Sequence, residues 1–342
     1  TMLFLEVDID TLKGRPLLQE AVDLLQKSIS TVDSSDPMLL GFRGLSPQEI
    51  SQNEARSEAK FYKVIGAYHL RLGNYIKAGA AFTSAAAAQA LDYSMNLEAM
   101  AGMIQTDIIT RTYSQAATDK DSFASALKTI HQKFSRFHES LPYNNFQEAY
   151  HSQLLSLKAL VMHAQCHLLI GRVDLAKIII QKGEQISQRI NPQSNDDGLV
   201  LDSYHAMVAK VFAKAGERDA ALYYLNKAKN DSPNNRPLYY KHVLTKLMFA
   251  YSDEIDHLVA EGVVWLAEGY YNLDWQIEFY LEACSKYIEA QDYVEASACY
   301  QKALTLCMQT KHGLGKHRLN QMRSHVPYTY QALFSLAEQD EN

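Results

Sequence analysis

Apolar residues recur at three- and four-residue intervals along most of the chain, and short polar breaks separate the runs. The clearest stretch is Ala206–Pro233, AMVAKVFAKAGERDAALYYLNKAKNDSP. A helical period puts Ala209 and Phe212 on one face of a first helix, and Ala221, Leu225 and Ala228 on one face of a second. Gly216-Glu217-Arg218 reads as the turn between them and Pro233 as the stop. Small residues at Ala209, Ala221 and Ala228 let the two backbones approach, while Phe212 and Leu225 fill the space between. The pattern predicts a helical hairpin.

The template recurs at three other places. Around Gly73-Asn74-Tyr75 its positions hold Tyr62, Ile65, Gly66, Ala78, Phe82 and Ala85. Around Gln291-Asp292-Tyr293 they hold Tyr280, Cys284, Tyr287, Ala296, Tyr300 and Ala303. Around Gly171-Arg172-Val173 they hold Leu160, Ala164, His167, Ala176 and Ile180, with Gly183 replacing the last alanine. Small and large residues set this way about a tight turn form the tetratricopeptide (TPR) signature. The expected fold is all-α, a TPR-like α-α superhelix, meaning a right-handed solenoid of helical hairpins. The signature residues themselves read as core, not as ligands or catalysts.

In chain order, 15–31 reads as a helix carrying Leu17, Leu18, Ala21, Leu24 and Leu25 on one face, followed by a connection. Ser46-Pro47-Gln48-Glu49 is a helix start, with Ser46 as N-cap and Glu49 closing a capping box. That helix is expected to reach Leu72 and its partner about Ala90. Atypical pairs are expected at 93–115 with 121–140 and at 237–251 with 253–271. Between and after them come 146–170 with 173–190, the Ala206–Pro233 hairpin, and 274–290 with 293–311. Asn191–Gly198 reads as the longest polar break, and Gly313 and Gly315 as the end of the helix before them. A last helix is expected over 327–338. Three regions follow: 1–45, an N-terminal helix and connection; 46–311, the repeat domain; and 312–342, a capping helix and tail.

Composition narrows the classes. Hydrophobic residues make up 47% and charged residues 21% of 342, enough to bury a continuous core along an array. Only 15 Gly and 8 Pro are present, few for an all-β chain. A net charge of -6 offers no global attraction to nucleic acid or membrane, so no direct nucleic-acid binding and no membrane association are expected. Cys166, Cys284, Cys299 and Cys307 form no CxxC pair, which points to a reducing, cytoplasmic setting. No apolar run is long enough to span a bilayer.

No catalytic constellation emerges: there is no Gly-rich phosphate loop and no GxSxG. No enzymatic activity and no cofactor are expected. His312, His317 and His325 lie near one another but need a fourth ligand to hold a metal, and read as exposed histidines on a loosely ordered tail. Glu282, Glu289 and Glu295 read as solvated faces of a hairpin. Tyr223-Tyr224 and Tyr239-Tyr240 read as interhelix packing.

In TPR arrays the first helix of each pair lines the inner, concave surface. Inner positions in the first repeat are Lys60, Lys63 and Arg71, and in the second Lys158 and Gln165. The third offers Ser203, Lys210 and Lys214, and the last Glu278, Ser285 and Glu289. The face is basic over three repeats and acidic at the end, a polarity that would orient an extended peptide with its acidic or C-terminal end toward the lysines. Solvated charges with no ligand are the other reading. The carboxylate clamp of chaperone-binding TPR proteins needs a Lys followed one turn later by Asn; Lys63 is followed by Ala67 instead.

The stretch EAKFYKVIGAYHLRLGNYIKAGAAF resembles the first repeat of the bacterial peptide-pheromone receptors of the Rap, NprR, PlcR and Rgg group, and Tyr239–Leu304 is similar to the C-terminal repeats of the Rap and NprR members. The resemblance covers most of residues 55–305. It implies a cytosolic receptor whose superhelix closes around a short peptide, possible homodimer formation through C-terminal repeats, and a role as the sensor part of a quorum-sensing transcription regulator. Residues 1–45 are too short for the helix-turn-helix domain of the transcription-factor members, and one helix before Ser46 leaves the N-terminal bundle of Rap proteins incomplete. A Rap-like phosphatase would have to use Gln48 or Gln52. The inner-face Asn of Rap proteins has no match near Ser203, His205 and Lys210. A TPR scaffold for protein–protein assembly is the alternative function. Tyr330, Leu333 and Phe334 form an apolar stripe that suits either a dimer contact or a cap on the last repeat.

Overall fold

The computed structural model describes residues 47–87, 93–110, 120–228, 236–267 and 273–334. Among them every regular element is helical. In chain order these are α1 (Pro47–Arg71), α2 (Tyr75–Ala87), α3 (Tyr93–Thr110), α4 (Lys120–Ser140), α5 (Phe146–Leu169), α6 (Val173–Arg189) and α7 (Asn195–Lys214). Then follow α8 (Arg218–Lys227), α9 (Arg236–Met248), α10 (Ile255–Ala267), α11 (Leu273–Glu289), α12 (Tyr293–Thr310), α13 (Gly313–Ser324) and a 3-10 helix over Tyr328–Phe334. The all-α class expected from periodicity is therefore observed. The expected helix at 15–31, the Ser46 cap and the Pro233 stop lie outside the described residues.

Among the described residues, five turns share one hydrogen-bond pattern. Asn74 N–H donates to the His69 carbonyl at 2.8 Å, and the same bond over five residues runs from Arg172 to His167, Glu217 to Phe212, Asp292 to Tyr287 and His312 to Cys307, each at 2.9 Å. This is the closing bond of a Schellman turn, which needs a left-handed residue just past the helix. Gly73, Gly171 and Gly216 supply it with φ of 70°, 76° and 76°. Gln291 and Lys311 adopt it without being glycine, at φ 62° and 55°. The turn at Lys311 was not anticipated. It lets α13 begin at Gly313, so Gly313 and Gly315 do not break the chain as the sequence suggested. They are buried in the first turn of α13, and a Cβ on Gly315 would meet His312 Nδ1 at 3.0 Å.

The turn sets the packing that follows. Four residues after each of the first four left-handed turns ends, an alanine N–H closes the new helix: Ala78 on Asn74, Ala176 on Arg172, Ala221 on Glu217 and Ala296 on Asp292. All four alanines have no exposed surface. Phe82, Ile180, Leu225 and Tyr300, the large partners in the template, are buried as well. The irregular Gly183 has a steric cause. A Cβ there would stand 2.5 Å from the Tyr204 ring, which comes from the following repeat and donates its hydroxyl proton to the Ile180 carbonyl at 2.6 Å.

The structure divides into two compact units, one reaching Met103 and taking in Val264–Asp274, the other covering Ile104–Val263 and Trp275 onward. In the first unit the Phe82 ring fills a space that a Cβ on Gly66 or Gly102 would invade, at 2.8 Å and 2.6 Å. In the second unit Leu154, Leu157, Leu160 and Ala164 of α5 join Ile179 and Ile180 of α6 and Tyr204, Val208 and Val211 of α7 in one core. Asn191–Gly198 is shorter as a break than it read. Ser194 caps α7 by accepting from Asp197 N–H at 3.2 Å, Asp197 returns the bond, and its carboxylate also takes the Tyr150 hydroxyl at 2.8 Å. The 3-10 segment covers α12: Phe334 is buried edge-on against Tyr300 at 5.1 Å, and Tyr330 lies 4.6 Å from Tyr293.

Two stability tests follow. Phe82→Ala should cost about 3–5 kcal/mol, because a ring contacted by two helices leaves a cavity that glycine backbones cannot collapse into. Gly216→Ala should cost about 1 kcal/mol or more, whereas Gln291→Gly should leave stability unchanged or slightly raised, since relief of left-handed strain opposes the added freedom of the unfolded chain. Denaturant midpoints of the three variants check this; a wild-type midpoint for Phe82→Ala would mean that the repeat register is wrong.

Candidate functional site

One row of charged side chains crosses the second unit. Lys210 on α7 donates to Glu278 Oε1 on α11 at 2.5 Å and to Gln165 Oε1 on α5 at 3.3 Å. One turn further along both helices, Lys214 donates to both oxygens of Glu282, and Arg318 on α13 stands 3.7 Å from Glu282. The i,i+4 spacing on two helices creates two matching rungs, since residues four apart share a helix face. Lys241 on α9 stands within electrostatic range of Lys210 and Glu278. Every member comes from α5, α7, α9, α11 or α13, the helices that alternate along the chain.

The two rungs differ in depth. Glu278 and Lys210 are partly exposed, but Glu282 is almost fully buried. Burial alone would push the Glu282 carboxyl up; Lys214 and Arg318 outweigh it and hold its pKa below the ordinary value. Burial in turn lowers the Lys214 pKa, against the pull of Glu282. Glu282 is thus not a solvated-face residue, the expectation from sequence. Its surroundings are the reverse of solvent: a carboxylate held in the interior by two cations, where an unpaired charge would be costly.

The remaining expected positions are scattered more widely. Lys60, Lys63 and Arg71 all lie on α1, with Lys60 exposed and the other two partly buried. Lys63 donates to Glu98 Oε2 on α3 at 2.6 Å, again an ion pair between alternate helices. Lys158 on α5 and Ser203 on α7 are partly buried. Sequence reasoning had not singled out Glu98, Lys241, Glu282 or Arg318 as site residues. The signal that could have found Glu282 was the repeated four-residue step, 210 to 214 and 278 to 282.

A second cluster joins α4 and α5. His163 stacks on Phe134 with centroids 4.5 Å apart, its Nε2 lies 3.2 Å from Nε2 of His167, and His131 is 5.6 Å from it between ring centroids. His138 Nδ1 is 3.1 Å from the Ser156 hydroxyl. Burial, then the neighbouring histidines and Lys182, push His163 down to about 2; burial, then His131 and Arg172, against Asp174, push His167 down to about 4. Both rings are neutral near pH 7. No group of three or more His, Cys, Asp or Glu among the described residues is arranged to hold a metal ion. His312 is not on a loose tail: it is buried and caps α13, its Nδ1 accepting from Gly315 N–H at 2.8 Å.

The tyrosine pairs pack as expected where they are buried. Tyr224 stacks on Phe212 at 5.7 Å and donates to Glu184 at 2.9 Å, and Tyr240 stacks on Trp275 at 4.9 Å and donates to its carbonyl at 2.6 Å. All four cysteines are buried and none forms a disulfide. No described helix is long and apolar enough to cross a membrane. No protein-family model, curated protein or solved structure matches the chain.

The charges imply a pH dependence of one sign. The folded pKa values of His163 and His167 lie below the unfolded value of 6.5, so the unfolded chain binds more protons and stability falls as pH drops from about 6.5 toward 4. Glu282, also depressed, contributes stability above its ordinary value of 4.5 that is lost on further acidification. Melting temperature measured from pH 8 to 3 should fall first below about 6.5 and again below about 4.5, and His167→Gln should flatten the first stage. A flat wild-type profile would contradict the buried neutral pair. Lys214→Met should cost near the low end of about 3–5 kcal/mol at pH 7, since Arg318 still faces the stranded carboxylate.

Proposed function

We propose that this chain is a non-catalytic TPR receptor that binds a short linear peptide, or an extended protein segment, along the surface lined by its alternate helices. The observation that carries this reading is the charged row, whose contacts among the described residues come from α5, α7, α11 and α13. In a right-handed superhelix of TPR hairpins those first helices face the concave groove, where Lys158, Gln165, Ser203, Lys210, Lys214 and Glu278 of the second unit would meet the ligand; Lys60, Lys63 and Arg71 hold first-helix positions in the other unit. The repeated hairpin turns and fully buried template alanines support the repeat assignment. The resemblance to pheromone receptors adds a role as the peptide sensor of a transcription regulator, and buried cysteines without disulfides suit a cytoplasmic setting.

The alternative, an assembly scaffold, draws on a different observation. Lys63, Lys210 and Lys214 already hold carboxylates of their own chain, so much of the surface is self-compensated, as suits a broad contact with a folded partner. A peptide carboxylate must compete with Glu278 for Lys210. Removing the competitor should therefore help it: Glu278→Gln should tighten an acidic peptide, while Lys210→Glu should weaken it at least about tenfold, one decade per ~1.4 kcal/mol. Calorimetric titration with short peptides encoded beside the gene, at two salt concentrations, checks both. Equal binding by all three proteins rejects the groove assignment; binding of a folded partner with no short peptide retained selects the scaffold.

A further inference from the structure

The row ends on a guanidinium whose only acid is already taken. Glu282 is almost fully buried, and Lys214 donates to both of its oxygens. Arg318 Nη2 stands 3.7 Å from Glu282, beyond hydrogen-bond range. Among the described residues no other acid pairs with Arg318, and its N–H donors reach no acceptor. Lys210, Lys214 and Arg318 therefore share two carboxylates, Glu278 and Glu282, and the contacts leave one positive charge over.

The surroundings of Arg318 do not make up the difference. α13 and the turn before it hold Lys311, Lys316, Arg318 and Arg323 and no Asp or Glu. The helix lies against α11, since a Cβ on its Gly315 would stand 3.4 Å from Ile277 Cγ2. Arg318 is thus fixed at the end of the row on a packed helix, with 28% of its side chain exposed. A guanidinium presents a planar fork of donors that a carboxylate fills with two parallel hydrogen bonds.

We infer that Arg318 is the seat for one carboxylate of the bound ligand, and that this contact places the ligand's acidic group at the α13 end of the row. The inference rests on the peptide-binding reading above and gives it an anchor. Glu282 keeps the fork in place without occupying it, because Lys214 holds the nearer position on both oxygens. A single negative charge balances the three cations. A dianion such as phosphate would bring a further charge toward the buried Glu282, which favours a carboxylate.

The test watches the guanidinium itself. Protein labelled with 15N-arginine gives side-chain Nε–H signals by NMR, and that of Arg318 is assigned by its loss in Arg318→Gln. The probes are an N-acetylated alanine peptide with a free C-terminal carboxylate, its C-terminal amide, that amide with an internal Asp, and inorganic phosphate. The Arg318 signal is expected to move downfield with a carboxylate probe and not with the plain amide. Calorimetric affinity for that probe should fall about tenfold in Arg318→Gln, and Arg318→Lys, which keeps the charge but not the fork, should restore only part of it. Response to the free terminus alone identifies a C-terminal anchor, and response to the Asp amide a side-chain anchor. An Arg318 signal unmoved by both carboxylates, or moved as far by phosphate, overturns the inference, as does full affinity in Arg318→Lys. If acid and amide peptides bind alike with Arg318 unmoved, the receptor reading survives and the seat falls. If Arg318 answers carboxylate but longer peptides gain no affinity, the seat stands and the peptide groove falls. Circular dichroism of Arg318→Gln should match wild type, because Lys214 still holds Glu282. Should that variant not fold, Arg318→Lys supplies the assignment and the wild-type titration decides.

Discussion

Each hairpin depends on how closely its two helices approach, and that distance is set jointly by a turn and by an alanine. The Schellman bond brings the chain back within a few residues, which leaves no slack to hold the helices apart. The alanine arriving four residues later must then lie against the first helix, and Ala78, Ala176, Ala221 and Ala296 do so with no exposed surface. A larger side chain at that level would overpack the contact. Where a neighbouring repeat brings a ring into the same layer, as Tyr204 does, even alanine is too large and Gly183 takes the place.

The turn geometry is stricter than the turn sequence. Three of the five left-handed positions are glycine, but Gln291 and Lys311 occupy the same conformation and form the same long hydrogen bond. The helices on each side, not the local residue alone, hold the backbone there. At Lys311 the same turn recurs past the last recognisable signature, with buried His312 capping the next helix through its ring nitrogen.

The packing that buries one face of each alternate helix also brings their polar edges together. Lys210 and Glu278 are 68 residues apart in sequence and in direct contact, as are Lys214 and Glu282. Interior charge is tolerated at Glu282 because two cations reach it from different helices.

Much of the fold was legible because helices and tight turns are written locally. The periodicity located most helix ends to within a few residues, and the small–large template marked Ala221, Leu225, Ala296 and Tyr300 as core, where they lie. The 3-10 form of Tyr328–Phe334, expected as an α-helix, and the helix opened at Gly313 depend on docking against α12, which no local pattern records. Of the candidate site, Gln165, Lys210, Lys214 and Glu278 were named from their helix faces, but that Lys210 meets Gln165 and Glu278, and Lys214 meets Glu282, is written in no local pattern. That Glu282 is buried rather than solvated, and that Lys241 and Arg318 join the row, was decided only when distant helices met. Charge on a helix face is set by sequence, but whether that charge meets water, a counter-ion or a ligand is set by what packs opposite.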